Sequence, residues 1–188
     1  MSRETIDDVL EHIFKSSSNT KEQGTAFENS IVFFPKNDPL YAQKFSGMWL
    51  WSDAPTCIGI DVVAPDAQDN SYWAIQCKCY QGDAQLNYKQ VSTTFSTAAA
   101  DGRYDHYAVV DTVNSWSPMF KKIASQYKTV RIEVSDMRES DLDRTPFLDG
   151  RAPSGRNHFD PRYIVGLVER VVGVSMETLE VVQPTVPE

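Results

Sequence analysis

Ile58-Gly59-Ile60-Asp61-Val62-Val63-Ala64, then a polar turn, then Trp73-Ala74-Ile75-Gln76-Cys77-Lys78 is the stretch on which the fold turns. Both runs carry the two-residue period of strands and are rich in Ile, Val and Trp. A turn centred on Gln68-Asp69 places Asp61 opposite Gln76 and Gly59 opposite Lys78 on one face of a hairpin. The same register pairs Ile58 with Cys79, Ile60 with Cys77, Val62 with Ile75 and Ala64 with Trp73 on the other face, where every residue is apolar or a thiol. A slip of one residue would mix the two faces, so hydrophobic segregation selects this register. The polar face then collects Asp61, Gln76 and Lys78 around Gly59, whose missing side chain leaves room beside the lysine.

Before the hairpin the period is helical. Ile6, Val9, Leu10, Ile13 and Phe14 form one stripe over residues 5–14, and Thr5 with Asp8 has the spacing of a capping box. A second helix starts at Asn19, presents Phe27, Ile31 and Phe34, and is predicted to stop at Pro35. Asp38-Pro39 opens a short third helix, and Met48–Trp51 begins the strands. After the hairpin, a helix over 87–100 buries Tyr88, Val91, Phe95 and Ala98 and ends at Gly102. A strand over 104–110, a helix from Ser117-Pro118 to Tyr127 and a strand over 129–134 complete the pattern. Residues 136–160 are charged and broken by Pro and Gly, which predicts a linker or surface loop, and Asp160-Pro161 opens one more amphipathic helix. Three closely spaced strands followed by helix–strand–helix–strand predict an α/β fold, a central mixed β-sheet flanked by helices.

The chain has 188 residues, enough to bury a real core, and 41% hydrophobic residues with 11% aromatics exclude a disordered acidic chain. No apolar run approaches the ~18 residues of a membrane span, and the polar start is unlike a secretory signal. With three cysteines in no even framework, the expectation is a soluble domain in the reducing cytoplasm, without membrane contact. Cys57, Cys77 and Cys79 lack paired zinc spacing, and buried thiols are expected instead. Net charge is −8, with 7 basic and 12 acidic residues over 1–100 and 11 and 14 over 101–188, so neither half is a basic arm. This argues against a nucleic-acid coat protein, since non-specific affinity comes from Lys and Arg on phosphates. It is compatible with an enzyme whose metal ligands are themselves carboxylates.

Asp61, Gln76 and Lys78 form a group able to perform metal-assisted hydrolysis. A carboxylate binds a hard divalent cation, an amide oxygen and a backbone carbonyl complete its shell, and an ammonium orients an attacking water or stabilises developing charge. One carboxylate is thin for Mg²⁺, and Glu28, on the edge of the second helix, can supply another.

Gly59-Ile60-Asp61 followed by Gln76-Cys77-Lys78, with Phe27-Glu28 on a preceding helix, resembles the Mrr-like branch of the PD-(D/E)XK restriction endonucleases, in which Gln commonly replaces the second acidic residue. Asp38-Pro39-Leu40-Tyr41, Trp49-Leu50-Trp51, Trp73-Ala74-Ile75 and Trp116-Ser117 extend the likeness to the N-terminal nuclease domain of large single-chain restriction enzymes, over roughly residues 20–143. Those enzymes continue into a helicase motor and a methyltransferase. The resemblance implies a restriction-endonuclease-like fold, a nuclease domain over 1–143, a linker or surface loop over 144–160, and a helix and tail over 161–188 with no assigned role. It implies an Mg²⁺-dependent DNA endonuclease, with Mn²⁺ able to substitute, acting in restriction or anti-phage defence beside helicase and methyltransferase domains or subunits. Asp61 becomes the central metal ligand, Lys78 the catalytic lysine, Gln76 the second motif position and Glu28 the helix carboxylate, with the Cys77 backbone carbonyl a further ligand. The alternative is a binding module of the same fold that docks DNA or a partner domain with the metal site unused. On charge alone, the isolated chain is expected to bind duplex DNA weakly and without sequence preference at physiological salt, and a gel-shift titration giving nanomolar, selective binding would contradict this.

Overall fold

A computed structural model describes residues 4–51, 59–69, 71–140 and 142–151, all within the first of two units into which the chain divides, Met1–Asn157. Cys57, Ile58 and the expected helix beginning at Asp160-Pro161 lie outside the described residues. Helix α1 (Ile6–Ser16) starts as the spacing requires: Thr5 caps it, with reciprocal bonds to Asp8, and Ile6, Val9, Leu10 and Ile13 are buried. Asn19 caps α2 (Thr20–Asn37) by accepting from the backbone of Lys21 and Glu22. Pro35 does not end this helix. A proline withholds one backbone donor, and the helix resumes behind it with Asp38 N donating to Phe34 O at 3.0 Å. Helix α3 (Pro39–Lys44) follows, with Asp38 accepting from Tyr41 N.

Strands β1 (Trp49–Leu50), β2 (Val62–Pro65), β3 (Tyr72–Lys78), β5 (Tyr104–Asp111) and β7 (Val130–Glu133) form one sheet in the order β1-β2-β3-β5-β7. Pairing is antiparallel from β1 to β3 and parallel from β3 to β7, the mixed sheet expected. Between β3 and β5 run β4 (Gln85–Leu86), a 3-10 turn at Tyr88–Gln90 and helix α4 (Ser92–Asp101), which Gly102 closes in the left-handed conformation. Between β5 and β7 run β6 (Ser115–Trp116) and helix α5 (Pro118–Gln126). The two-residue strands β4 and β6 pair with each other in a small second sheet.

Alternation along the strands divides the core in two. Val62, Ala64, Trp73, Ile75, Cys77, Ala108, Val110 and Ile132 pack with the stripes of α1 and α2, whereas Val109 on the opposite face packs with Phe95 of α4 and Phe120 of α5. Met137, Leu142, Phe147 and Leu148, expected within a stretch read as a linker or surface loop, join this packing. Helices α6 (Val134–Arg138) and α7 (Thr145–Leu148) bring Met137 fully inside and set Phe147 6.0 Å from Phe33. The buried Arg144 donates to the carbonyls of Met137 and Leu142 and lies over the Phe34 ring. The apolar anchors are spread among charges, which hides them from a composition reading.

The hairpin register holds over β2, where Val62 faces Ile75 and Ala64 faces Trp73. It breaks just before. Asp61 N donates to Ile75 O, while its own carbonyl accepts from Trp51 N beside β1, so the carbonyl is turned away from β3. The expected pairs Ile60–Cys77 and Gly59–Lys78 are therefore not formed. Gly59 has a φ of +92°, and a Cβ there would lie 2.7 Å from the Cβ and Cγ2 of Thr93. The space beside Gly59 is thus filled by α4 and is not left open for Lys78, which corrects the expectation. Gly59→Ala combines a strained φ with a steric overlap and is expected to lower stability by about 1–3 kcal/mol, measurable as a shift in the urea midpoint.

Candidate active site

The break in the ladder is what aims the Asp61 side chain. With the backbone carbonyl turned away, its Oδ2 takes over as acceptor for Cys77 N, at 2.7 Å, and accepts the Gln76 Nε2–H as well. Irregularities of this kind commonly re-aim a side chain at a functional site. Gln76, 3% exposed, also directs Nε2 at the Cys77 carbonyl, 3.3 Å away. Asp61 Oδ2 and the Cys77 carbonyl, two of the expected ligands, thus converge on one point, which the amide nitrogen of the third holds.

Three charged groups of the expected site lie within electrostatic reach of one another. Burial, against the N–H of Cys77 and the charge of Lys78, pushes Asp61 up to about 6. Burial and the charge of Asp61 push Glu28 up to about 7, with Lys78 again opposing. All three charges feel one another, so α2 and the hairpin bring Glu28, Asp61 and Lys78 together. Two desolvated carboxylates facing one ammonium leave an excess of negative charge that a divalent cation would neutralise. The donor set of carboxylate, carboxylate, carbonyl and amide suits a hard cation such as Mg²⁺ or Mn²⁺. Burial holds the thiol of Cys77, in the core, well above its usual range and that of the half-buried Cys79, packed against the core, at about 12.

Sequence reasoning missed Thr94. It is 2% exposed, and its hydroxyl reaches both Gln76 Oε1 and the Gly59 carbonyl. The available signal was its position: it lies three residues after Val91 and four before Ala98, a polar residue on the buried stripe of α4.

Asp66, Asp69 and His106 form a second cluster, with one ligand atom from each within 4.8 Å of the others. It lies at the turn end of the hairpin. Five strand residues of about 3.3 Å each separate Asp66 from Asp61, so one ion cannot serve both. The Asp66 carboxylate already accepts from Trp73 Nε1 and Gln68 N, and Asp69 from Ser71 N.

A family model described as a restriction endonuclease, Mrr_cat_2, matches residues 36–166. Among solved structures, the ATP-dependent Type ISP restriction-modification enzyme LlaBIII bound to DNA is 26% identical, with a TM-score of 0.60. The likeness covers 75% of this chain, which spans 9% of the length of that enzyme. The crystal structure of protein AF1548, of unknown function, is 18% identical over 59% of this chain and 60% of its own, at a TM-score of 0.35 too low to carry an argument. No curated protein matches.

The raised carboxyls fix a pH dependence. In the unfolded chain Asp61 and Glu28 titrate near 3.8 and 4.5, in the folded chain near 6 and 7, so folding takes up protons between. The stability these groups contribute is complete below about pH 4 and is lost as pH rises through 6 and 7. Without added metal, Glu28→Gln is therefore expected to gain stability relative to the unaltered chain on going from pH 5 to pH 8, as read by urea unfolding at both values; an equal difference at both would contradict the shift.

Proposed function

Because this chain belongs to the restriction endonuclease family, we propose that it is a metal-dependent DNA endonuclease that hydrolyses phosphodiesters by direct attack of water. The observation that carries this reading is the convergence of Asp61 Oδ2 and the Cys77 carbonyl on one buried point, with Glu28 and Lys78 in electrostatic reach. Mg²⁺ is the proposed ion, Mn²⁺ its substitute, and when bound it supplies Lewis acidity toward the phosphodiester. Asp61 and Glu28 provide its negative donors, the Cys77 carbonyl and the Gln76 amide oxygen its neutral ones. Lys78, at the open end of β3, orients the attacking water and offsets charge developing on the phosphate.

The net charge of −8 supports a division of labour, since a domain so acidic gains little from phosphate contacts. We assign DNA delivery and recognition to helicase or translocase and methyltransferase domains or subunits acting with this one in the cytoplasm, in restriction or anti-phage defence. The ATP-dependent restriction-modification enzyme that the chain resembles over a small part of its length supports that assignment. The same acidity favours the second reading, a binding module that docks DNA or a partner without cutting.

Nicking of supercoiled plasmid separates the two. With Mg²⁺ or Mn²⁺ the unaltered chain is expected to nick, while Asp61→Ala and Lys78→Ala abolish nicking with their circular dichroism unchanged. DNA binding without any nicking would leave the binding module, and full activity in folded Asp61→Ala would remove Asp61 from the site.

A further inference from the structure

The Gln76 amide stands the wrong way round for the ion just proposed. Its nitrogen, a donor with no lone pair to offer, points at Asp61 Oδ2 and the Cys77 carbonyl, and its oxygen points at Thr94. In this arrangement the partial positive charge of the amide hydrogens occupies the place a cation would take. An ion entering there needs the amide turned by about half a rotation about its last bond, so that Oε1 faces the metal and Nε2 faces α4. At a site 3% exposed, that turn leaves the amide nitrogen buried against whatever lies on the α4 side, and a buried donor without an acceptor is costly.

What lies there is a hydroxyl, whose single oxygen both donates and accepts and whose proton rotates to suit its partners. Thr94 Oγ1 has one proton and two acceptors in reach, Gln76 Oε1 and the Gly59 carbonyl. With the amide oxygen toward α4, the proton goes to Oε1. With the amide nitrogen toward α4, the proton goes to the Gly59 carbonyl, and the freed lone pair accepts from Nε2. Both amide orientations are then satisfied without moving a backbone atom. The geometry supports the second state, because the Gly59 carbonyl already lies within hydrogen-bond reach of the Thr94 hydroxyl.

We propose that Thr94 is the positioning residue that lets the Gln76 amide turn between a metal-free and a metal-facing orientation, with the Gly59 carbonyl receiving the hydroxyl proton in the latter. The inference rests on the metal reading above and concerns a residue that touches neither substrate nor ion. It distinguishes the hydroxyl from the bulk of the side chain: Thr94→Val keeps the shape and loses both roles, whereas Thr94→Ser keeps both roles and loses a methyl.

Mn²⁺ affinity, measured by calorimetry on the full chain without DNA, tests it. Thr94→Val is expected to weaken binding by about 10- to 100-fold, the usual effect of removing a group that orients a ligand, and Thr94→Ser to restore it. Equal affinity in Thr94→Val and the unaltered chain overturns the inference and leaves the metal reading standing, as does equal loss in Thr94→Val and Thr94→Ser. No Mn²⁺ binding by the unaltered chain removes the metal reading and the inference with it. Should Thr94→Val not fold, the unaltered chain decides by nuclear magnetic resonance: saturating Mg²⁺ is expected to bring the Gln76 amide protons into Overhauser contact with the Thr94 side chain. Bound Mg²⁺ without that contact overturns the proposal.

Discussion

Taking a carboxylate out of water costs several kcal/mol unless hydrogen bonds or a counter-charge replace the lost hydration. At Asp61 this cost is offset only in part. One oxygen takes the N–H of Cys77 and the amide of Gln76, and Lys78 opposes the shift, yet burial still holds the carboxyl at about 6. Glu28 adds a second carboxyl to the same deficit. The turned-away carbonyl at Asp61, the inward-facing Gln76 and the hydroxyl of Thr94 on an otherwise apolar helix face all follow from keeping that one group buried and tolerated.

Asp111 shows what complete compensation looks like in the same sheet. It is fully buried at the end of β5, paired across the ladder with Lys78. Arg131 grips both of its oxygens at 2.8 and 3.0 Å, Trp116 Nε1 donates at 2.7 Å and Val113 N at 3.1 Å. Arg131 in turn reaches Glu133 and the Val113 carbonyl and lies 5.2 Å from the centre of the Trp116 ring. Each Asp111 oxygen thus accepts two hydrogen bonds, and the network fastens β5, β6 and β7 together. The two aspartates differ in how many donors surround them, and the site with too few is the one to which the proposed chemistry is assigned.

The sequence made this contrast only half visible. The register of the hairpin was legible because the two faces differ in kind, apolar against polar, and only one alignment keeps them apart. The helix starts at Thr5 and Asn19 were legible because capping is local. Asp61, Gln76 and Lys78 could be grouped on the same grounds. Gly59 could be recognised as exceptional, but the residue pressing on it comes from α4, some thirty positions on, and no local pattern announces it. The Asp111–Arg131 pair was hidden for the same reason, since it depends on which strands become neighbours. Pro35 misled because a proline usually interrupts a helix, whereas burial of Phe33 and Phe34 on one side of it carries α2 through.

The order of strands in the sheet bears on how the protein is made. Glu28, Asp61, Gln76, Lys78 and Thr94 all lie within one continuous segment that leaves the ribosome before Tyr104. At that stage β3 has β2 on one flank and nothing on the other, because its second neighbour is β5. An apolar strand with an open edge invites pairing with a foreign chain, and it stays so until β5 has been synthesised and docked. The strand that carries Gln76 and Lys78 thus waits for its second neighbour until β5 emerges, and β5 in turn waits for β7. One event, the closing of β5 onto β3, covers that edge and joins the antiparallel part of the sheet to its parallel part, leaving β7 to cover the edge that β5 brings.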